Sequence, residues 1–306
     1  MTEKALTVSF LSGLKYEHFV AGLTAGLVPT LITHPLDLIK LRFAVHDGQA
    51  TPGRPQYRGL IHAMRSIVKE GGMLALYRGA SANMVGAGAS WGIYFFIYNA
   101  LKFHIQGGDL NKQLSAPVHL LLASLGGMVT MTFVNPVWVV KTRLCLSNTD
   151  AVPDHRRYRG LIDGLTNLYK YEGLRGCYKG YLAGLVGTSH GAVQFMAYEE
   201  MKKLYCNLYS LPISTKLGPI EYITMAASSK LVATCVTYPY QVIRARLQDQ
   251  HERYTGTLDV IRKVYRNESM SGFYKGLTAN IVKVVPATSL TFVVYEYLSH
   301  LLLKTR

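Results

Sequence analysis

Pro35-Leu-Asp37-Leu-Ile-Lys40-Leu-Arg42 recurs as Pro136-Val-Trp138-Val-Val-Lys141-Thr-Arg143 and again as Pro239-Tyr-Gln241-Val-Ile-Arg244-Ala-Arg246, the prolines 101 and 103 residues apart. Downstream of each copy comes an aromatic-x-glycine: Tyr57-Arg58-Gly59, Tyr158-Arg159-Gly160, Tyr254-Thr255-Gly256. An acidic residue follows, and then Tyr77-Arg78-Gly79, Tyr178-Lys179-Gly180 or Tyr274-Lys275-Gly276, with the last glycines 101 and 96 apart. Landmarks that keep one order three times define three tandem units of about 100 residues. We place the units at 17–105, 114–206 and 218–303.

Around these landmarks lie stretches without Asp, Glu, Lys or Arg, at 19–36, 79–101, 113–140 and 180–198. Two more, at 222–243 and 276–295, are broken only by Lys230 and Lys283. A bilayer crossing takes about 20 residues, so each unit has room for two membrane helices with a polar helix between them. Gly, Ser, Thr and Pro are abundant in the stretches, which suits helices lining a water-filled cavity better than helices bathed in lipid. The 306-residue chain is 49% hydrophobic and only 17% charged, yet 33 Lys+Arg against 18 Asp+Glu leave +15. That balance suits an anionic solute, an anionic lipid surface or nucleic acid.

Proline inside a helix removes a backbone hydrogen bond and bends it. Pro35, Pro136 and Pro239 are therefore expected to kink the first helix of each unit and to gather the three at one end. The positions two and five after each proline share a helical face, so a base of one unit can meet an acid of its neighbour. Lys283 and Lys230 are ionisable groups inside membrane stretches, and such groups are functional candidates. Lys230 stands where the first two units have Gly26 and Gly127 in small-xxx-small patterns. It is expected to reach into the cavity, because burying it unpaired is costly. Trp91, Tyr94 and Phe95 offer stacking and cation–π surfaces, so the cavity reads as a site for a planar aromatic anion. Gly59, Gly160, Gly256 and Gly79, Gly180, Gly276 are expected at helix N-termini, where free amides and the helix dipole attract phosphate. Arg58, Arg78, Arg159, Lys179 and Lys275 beside them suit an anionic headgroup.

These motifs resemble the mitochondrial carrier family over essentially the whole chain. The resemblance implies an all-α membrane protein: six transmembrane helices in three pseudosymmetric repeats, forming a barrel around a central cavity. It implies a monomeric, multi-pass protein of the mitochondrial inner membrane working by alternating access, with cardiolipin clamped at the six glycines. A matrix gate would be built from Asp37, Lys40, Trp138, Lys141, Gln241 and Arg244. The family pattern pairs Asp37 with Lys141, leaves Arg244 without a carboxylate opposite Trp138, and gives Lys40 a neutral partner in Gln241. A cytoplasmic gate would comprise Asn99, Lys102, Glu199, Lys202, Glu296 and Ser299, with Glu296–Lys102 its complete pair. Substrate contacts fall 13 residues before the acid slot of each even-numbered helix, at Gly86, Val186 and Lys283. Ser90, Trp91, Tyr94, Gly187, His190 and Gln194 lie on or near that face, and Lys230 is added from the argument above. No unpaired carboxylate is expected at the depth of Lys283, so the cavity is expected to be net positive.

The tracts HPLDLIKLRFAVHDG, NPVWVVKTRL, GTSHGAVQFMAYE and TYPYQVIRARLQDQH are similar to the animal folate/FAD branch of that family. Trp138 in the acid slot is similar to members handling nucleotides and nucleotide-like cofactors. FAD and/or folate is implied as cargo rather than as a resident cofactor, with NAD or pyrimidine nucleotide as the alternative.

Other classes fit less well. A nucleic-acid binder would account for +15 but not for six uncharged stretches, and no basic cluster with stacking aromatics is present. No GxSxG, HExxH, GxGxxG or P-loop occurs, and His34, His119 and His190 lack ligand spacing, so neither an enzyme nor a metal site is expected. Cys145, Cys177, Cys206 and Cys235 contain no CxxC and read as buried free thiols. The first 19 residues carry Glu3 and Glu17 and no arginine. They resemble neither a secretory signal nor a transit peptide, so an organelle address would lie further inside the chain.

Overall fold

The computed structural model describes residues 16–46, 57–107, 113–147, 158–212, 218–250 and 254–284, with a few positions beyond. Among the described residues all regular structure is helical. Four helices are long: α1 (Tyr16–Val45), α3 (Ala80–Gln106), α4 (Ala116–Leu146) and α8 (Pro219–Gln248). Shorter helices α2 (Leu60–Gly71), α5 (Leu161–Cys177) and α9 (Thr257–Glu268) lie between the long ones. In the second unit α6 (Tyr181–Val186) and α7 (His190–Leu208) are joined by a 3-10 turn at Gly187–Ser189. A last helix, α10, covers 277–284. At 1.5 Å per residue the long helices exceed the roughly 30 Å of a bilayer core. The stretch Pro117–Leu146 is also apolar enough to cross one on composition alone.

The short helices hold the units together through their apolar faces. Ala63 and Ile67 of α2 pack on Leu38 and Ile39, and Leu168 of α5 packs on Val139 and Val140. Val260 and Val264 of α9 pack on Phe273. The paired positions are four apart, the spacing that keeps one helix face buried. Each fully buried Ile, Leu or Val contributes about 1.5–3 kcal/mol relative to exposure. On the long helices Ile32, Val85, Leu121, Phe133 and Val236 are exposed. An apolar exterior of this extent suits hydrocarbon rather than water.

Pro35, Pro136 and Pro239 lie inside α1, α4 and α8, as the spacing predicts. Those three helices each touch the other two. One stitch repeats in every unit, from the residue before the proline to a carbonyl of the second aromatic-basic-glycine. His34 Nε2 lies 3.0 Å from the Arg78 carbonyl, Asn135 Nδ2 donates to that of Lys179 at 3.4 Å, and the Tyr238 hydroxyl donates to that of Lys275 at 3.1 Å. The glycines that follow have φ of +81, +73 and +87° at Gly79, Gly180 and Gly276, a left-handed backbone that glycine adopts freely. A Cβ on Gly79 would meet Cys145, one on Gly180 would meet Arg244, and one on Gly276 would lie 2.6 Å from the Lys40 carbonyl. Unit one thus abuts unit two, two abuts three, and three returns to one. The ring closes at the proline end.

All six glycines flank helix starts as expected: Gly59, Gly160 and Gly256 before α2, α5 and α9, and Gly79, Gly180 and Gly276 before α3, α6 and α10. The cysteines are free; Cys145, Cys177 and Cys206 are buried, whereas Cys235 is half-buried.

Candidate functional site: a cationic gate at the proline end

The three proline-bearing helices bring six side chains of the repeated motif to one cavity of about 340 Å³, lined by Asp37, Lys40, Trp138, Lys141, Gln241 and Arg244 among others. Lys40 Nζ donates to Gln241 Oε1 at 2.7 Å, the neutral bond the sequence implies, and to Asn280 Oδ1 of α10 at 2.9 Å. Arg244 faces no carboxylate; its nearest acceptors are Asn135 Oδ1 at 3.5 Å and Met131 Sδ at 3.8 Å. Lys141 Nζ lies 5.8 Å from the centroid of the Trp138 ring, within cation–π range.

Asp37 departs from the expected pairing. Its carboxylate accepts a hydrogen bond from Lys283 Nζ at 2.6 Å, not from Lys141. Asp37, paired, therefore reaches the depth of Lys283. The reason is a three-fold register between each even-numbered helix and the next unit's kinked helix. A Cβ on Gly86 would lie 3.3 Å from Val137 and 3.6 Å from the Trp138 indole. One on Gly187 would meet the Tyr240 ring at 2.6 Å. Lys283 meets Asp37 in the corresponding place. Gly86, Gly187 and Lys283 thus meet the next unit at its acid slot or the residue before it, which brings Lys283 within reach of Asp37.

The remaining candidates distribute around this layer. Ser90 donates to the Gly86 carbonyl at 2.7 Å. His190 Nδ1 lies 2.9 Å from Thr237 Oγ1, and Lys230, half-buried, is within electrostatic range of both His190 and Lys283. Gln194 is half-buried, and Val186 is exposed while its neighbour Gly187 makes the inter-unit contact. Trp91 stacks on Phe95 at 5.7 Å, and Tyr94 stacks on Tyr98 at 6.0 Å. Tyr98 continues to His119, its hydroxyl 2.7 Å from Nδ1. Trp91 and Tyr94 thus belong to an aromatic row along α3 rather than to the gate lining.

At the other end, Asn99 is exposed while Lys102, Glu199 and Lys202 are half-buried. Among the described residues no ion pair joins them. Glu296 and Ser299 lie outside the described residues.

Two features were not singled out from the sequence. Asn280 is a second acceptor for Lys40. The base seven places after each proline anchors a tie to the short helices. Arg143 donates to both carboxylate oxygens of Glu172, which also accepts from Lys179 at 2.8 Å. Arg246 does the same with Glu268, which accepts from Lys275 at 2.6 Å. Burial opposes ionisation of Glu172, but the hydrogen bonds from Arg143 and Lys179 prevail and hold its carboxyl at about 2. Recurrence of that arginine in all three units was the available signal.

A triplicated helical chain with an apolar exterior and a cationic cluster where its proline-bearing helices converge has the features of a membrane solute carrier. The model of the family described as Mitochondrial carrier protein matches residues 14–109, 112–208 and 215–306, and the chain belongs to the mitochondrial carrier family. It is a transporter rather than an enzyme. It is 40% identical over 94% of its length to Folate transporter 1, chloroplastic, of Arabidopsis thaliana, covering 96% of that protein. It is 34% identical to the mitochondrial Nicotinamide adenine dinucleotide transporter 2 of Arabidopsis thaliana, over 90% of this chain and 77% of the other. It is 29% identical to a mitochondrial FAD carrier protein of Saccharomyces cerevisiae, over 92% of this chain and 95% of the other.

Proposed function

We propose that the chain is an alternating-access carrier moving an anionic aromatic cofactor, FAD and/or folate, across the mitochondrial inner membrane. The observation that carries this reading is the charge of the gate. Lys40, Lys141, Lys283 and Arg244 converge with Asp37 alone as counter-charge among the lining residues, and Lys230 stands within range. A solute bearing two negative charges, such as the pyrophosphate of FAD or the two carboxylates of folate, supplies what the cavity lacks. The Trp138 ring beside Lys141 supports stacking of a planar ring system.

In the mechanism that follows, the solute anion competes with Asp37 for Lys283. Freed Asp37 turns to Lys141, and the gate exchanges one ion pair for another while the kinked helices part. The solute drives this only by binding the two states unequally. The structure is bonded at the proline end and carries no ion pair between the described members of the opposite gate, which fits a state open opposite the prolines. Closing that end would use Glu296 with Lys102, with Asn99–Lys202 and Glu199–Ser299 as uncharged or half-charged contacts. The six-helix barrel belongs to the same reading, with 276–295 as its sixth membrane stretch.

The six glycines serve as headgroup sites for cardiolipin in the same reading. A cavity of about 580 Å³ lined by Lys179, Gly180, Tyr254 and Gly256, between the starts of α6 and α9, supports one such site. The named relatives support folate, FAD or NAD as cargo classes.

Reconstitution of the full chain into cardiolipin-containing liposomes, with uptake of FAD, FMN, folates, NAD and pyrimidine nucleotides measured in parallel, tests the assignment. Uptake of FAD or folate in preference to the rest is expected. Selective uptake of NAD or a pyrimidine nucleotide would replace it with the alternative.

A further inference from the structure

The three ties between kinked helices and short helices are alike except at one corner. In each unit the arginine Nε donates to a carbonyl of the next unit: Arg42 to Cys145 at 3.3 Å, Arg143 to Gln248 at 3.2 Å, Arg246 to Ala44 at 3.0 Å. A tyrosine hydroxyl also takes up the guanidinium, at 2.7 Å from Tyr57 to Arg42 and from Tyr158 to Arg143. Units two and three then add a carboxylate eight residues before the last glycine, Glu172 or Glu268, held by the fork of that arginine. The matching position of unit one is Gly71. The acidic residue that marks unit one in the sequence is Glu70, one place earlier, and it is exposed.

A second exchange accompanies the first. Gly176 and Gly272 lie four residues after the two glutamates, where a Cβ would collide with the glutamate Cβ. Their counterpart in unit one is Ala75, whose methyl lies 2.8 Å from a Cβ built on Gly71. Removing the carboxylate lets the facing residue grow. The guanidinium of Arg78, counterpart of Lys179 and Lys275, comes within 3.3 Å of the same Cβ. Arg42 is only 7% exposed, and its bonded partners are the Cys145 carbonyl and the Tyr57 hydroxyl, neither of them charged. A buried guanidinium without a counter-ion is costly, and its fork matches carboxylate and phosphate oxygens.

We propose that the corner formed by Arg42, Tyr57, Gly71 and Arg78 binds a small oxyanion, phosphate or carboxylate, in the place that Glu172 and Glu268 fill in the other units. Free phosphate and a lipid phosphodiester present the same chemistry to the arginine fork. The bound anion ties α1 to α2 as the glutamates tie α4 to α5 and α8 to α9. This site is independent of the cargo assignment.

Thermal unfolding of the purified full chain in cardiolipin-free micelles tests it. Wild type is compared in phosphate, in chloride of equal ionic strength, and in chloride with added cardiolipin. Phosphate is expected to raise Tm by about 2–4 °C; a rise with cardiolipin but not phosphate assigns the anion to the lipid only where Gly71→Glu with Ala75→Gly reduces that rise, since cardiolipin sites elsewhere remain in the variant. Gly71→Glu with Ala75→Gly, which copies the other units, should lose that increment and be as stable in chloride as wild type is in phosphate. If the double variant does not fold, Arg42→Gln serves instead, with a lower Tm and the increment gone. A wild type that responds to neither anion source, or a variant that keeps the full wild-type increment, overturns the proposal.

Discussion

Asp37 and Lys283, 246 residues apart in the chain, meet at 2.6 Å where the third unit closes on the first. The other two junctions of the same register are filled by Gly86 against Trp138 and by Gly187 against Tyr240. One junction is ionic and two are packed. In the proposed mechanism the ionic one is where an anionic solute intervenes, with Lys283 serving both gate and cargo.

Lys283→Ala should abolish uptake and also loosen the closed gate. It leaves Asp37 without its bonded cation, and stranding a buried charge costs about 3–5 kcal/mol. Asp37→Asn should preserve solute binding better than transport, because Lys283 is then free for the anion while the gate lacks its ion pair. Exchanging the charges, Asp37→Lys with Lys283→Asp, should restore thermal stability but not uptake. Measured Tm and vesicle uptake of the three variants decide this. Recovery of transport by the exchange would show that Lys283 serves the gate alone.

Trp138→Asp should slow turnover. The new carboxylate would lie beside Lys141, now over the indole, and within the cavity that Arg244 lines. A new surface-like pair adds up to about 1 kcal/mol to the closed state, and more where partly desolvated. The lost indole would weaken binding of a planar ring. A lower maximal rate with a raised dissociation constant for FAD or folate is the expected result; unchanged values of both would remove Trp138 from gate and site alike.

How much of this was legible in the sequence depends on whether the information is local. Pro35, Pro136 and Pro239 at equivalent places inside helices and glycines at helix starts follow from spacing within a unit and three-fold repetition, and the neutral Lys40–Gln241 bond follows from the family pattern. The Asp37–Lys283 bond does not. It depends on the height at which α10 lies beside α1, and spacing along one helix is silent on the offset between two. The missing carboxylate at Gly71 was masked by Glu70, which satisfies the motif by composition while missing the position by one residue.

Gly276→Ala should be far more damaging than Gly59→Ala. At Gly276 the backbone is left-handed and a methyl would lie 2.6 Å from the Lys40 carbonyl, which cannot move without opening the ring. At Gly59 φ is 173°, an extended value any residue adopts, and a methyl meets nothing within 4 Å. Left-handed strain alone costs about 1–2 kcal/mol, and the backbone collision adds to it. Thermal unfolding should show a large drop for the first variant and almost none for the second. Equal drops would mean that the ring contact at Gly276 is looser than it looks.

Acid should progressively remove the stability that the two glutamate ties give the short helices. The Glu172 carboxyl is held at about 2 against an ordinary value of 4.5. Glu268 is lowered too: burial opposes its ionisation, but the hydrogen bonds from Arg246 and Lys275 outweigh it. A depressed folded-state value means that the unfolded chain takes up protons first. The stabilisation is therefore complete above about pH 4.5 and falls away as pH drops towards 2. Replacing Glu172 by Gln leaves Arg143, which is fully buried, without its carboxylate, at a cost of about 3 kcal/mol. In a series of unfolding curves between about pH 3 and 6, wild type should lose Tm steadily on acidification. Glu172→Gln should start lower and fall less, and Glu172→Gln with Glu268→Gln should be nearly flat. A double variant that keeps the wild-type slope would place the acid sensitivity in other carboxylates and leave the ties as neutral contacts.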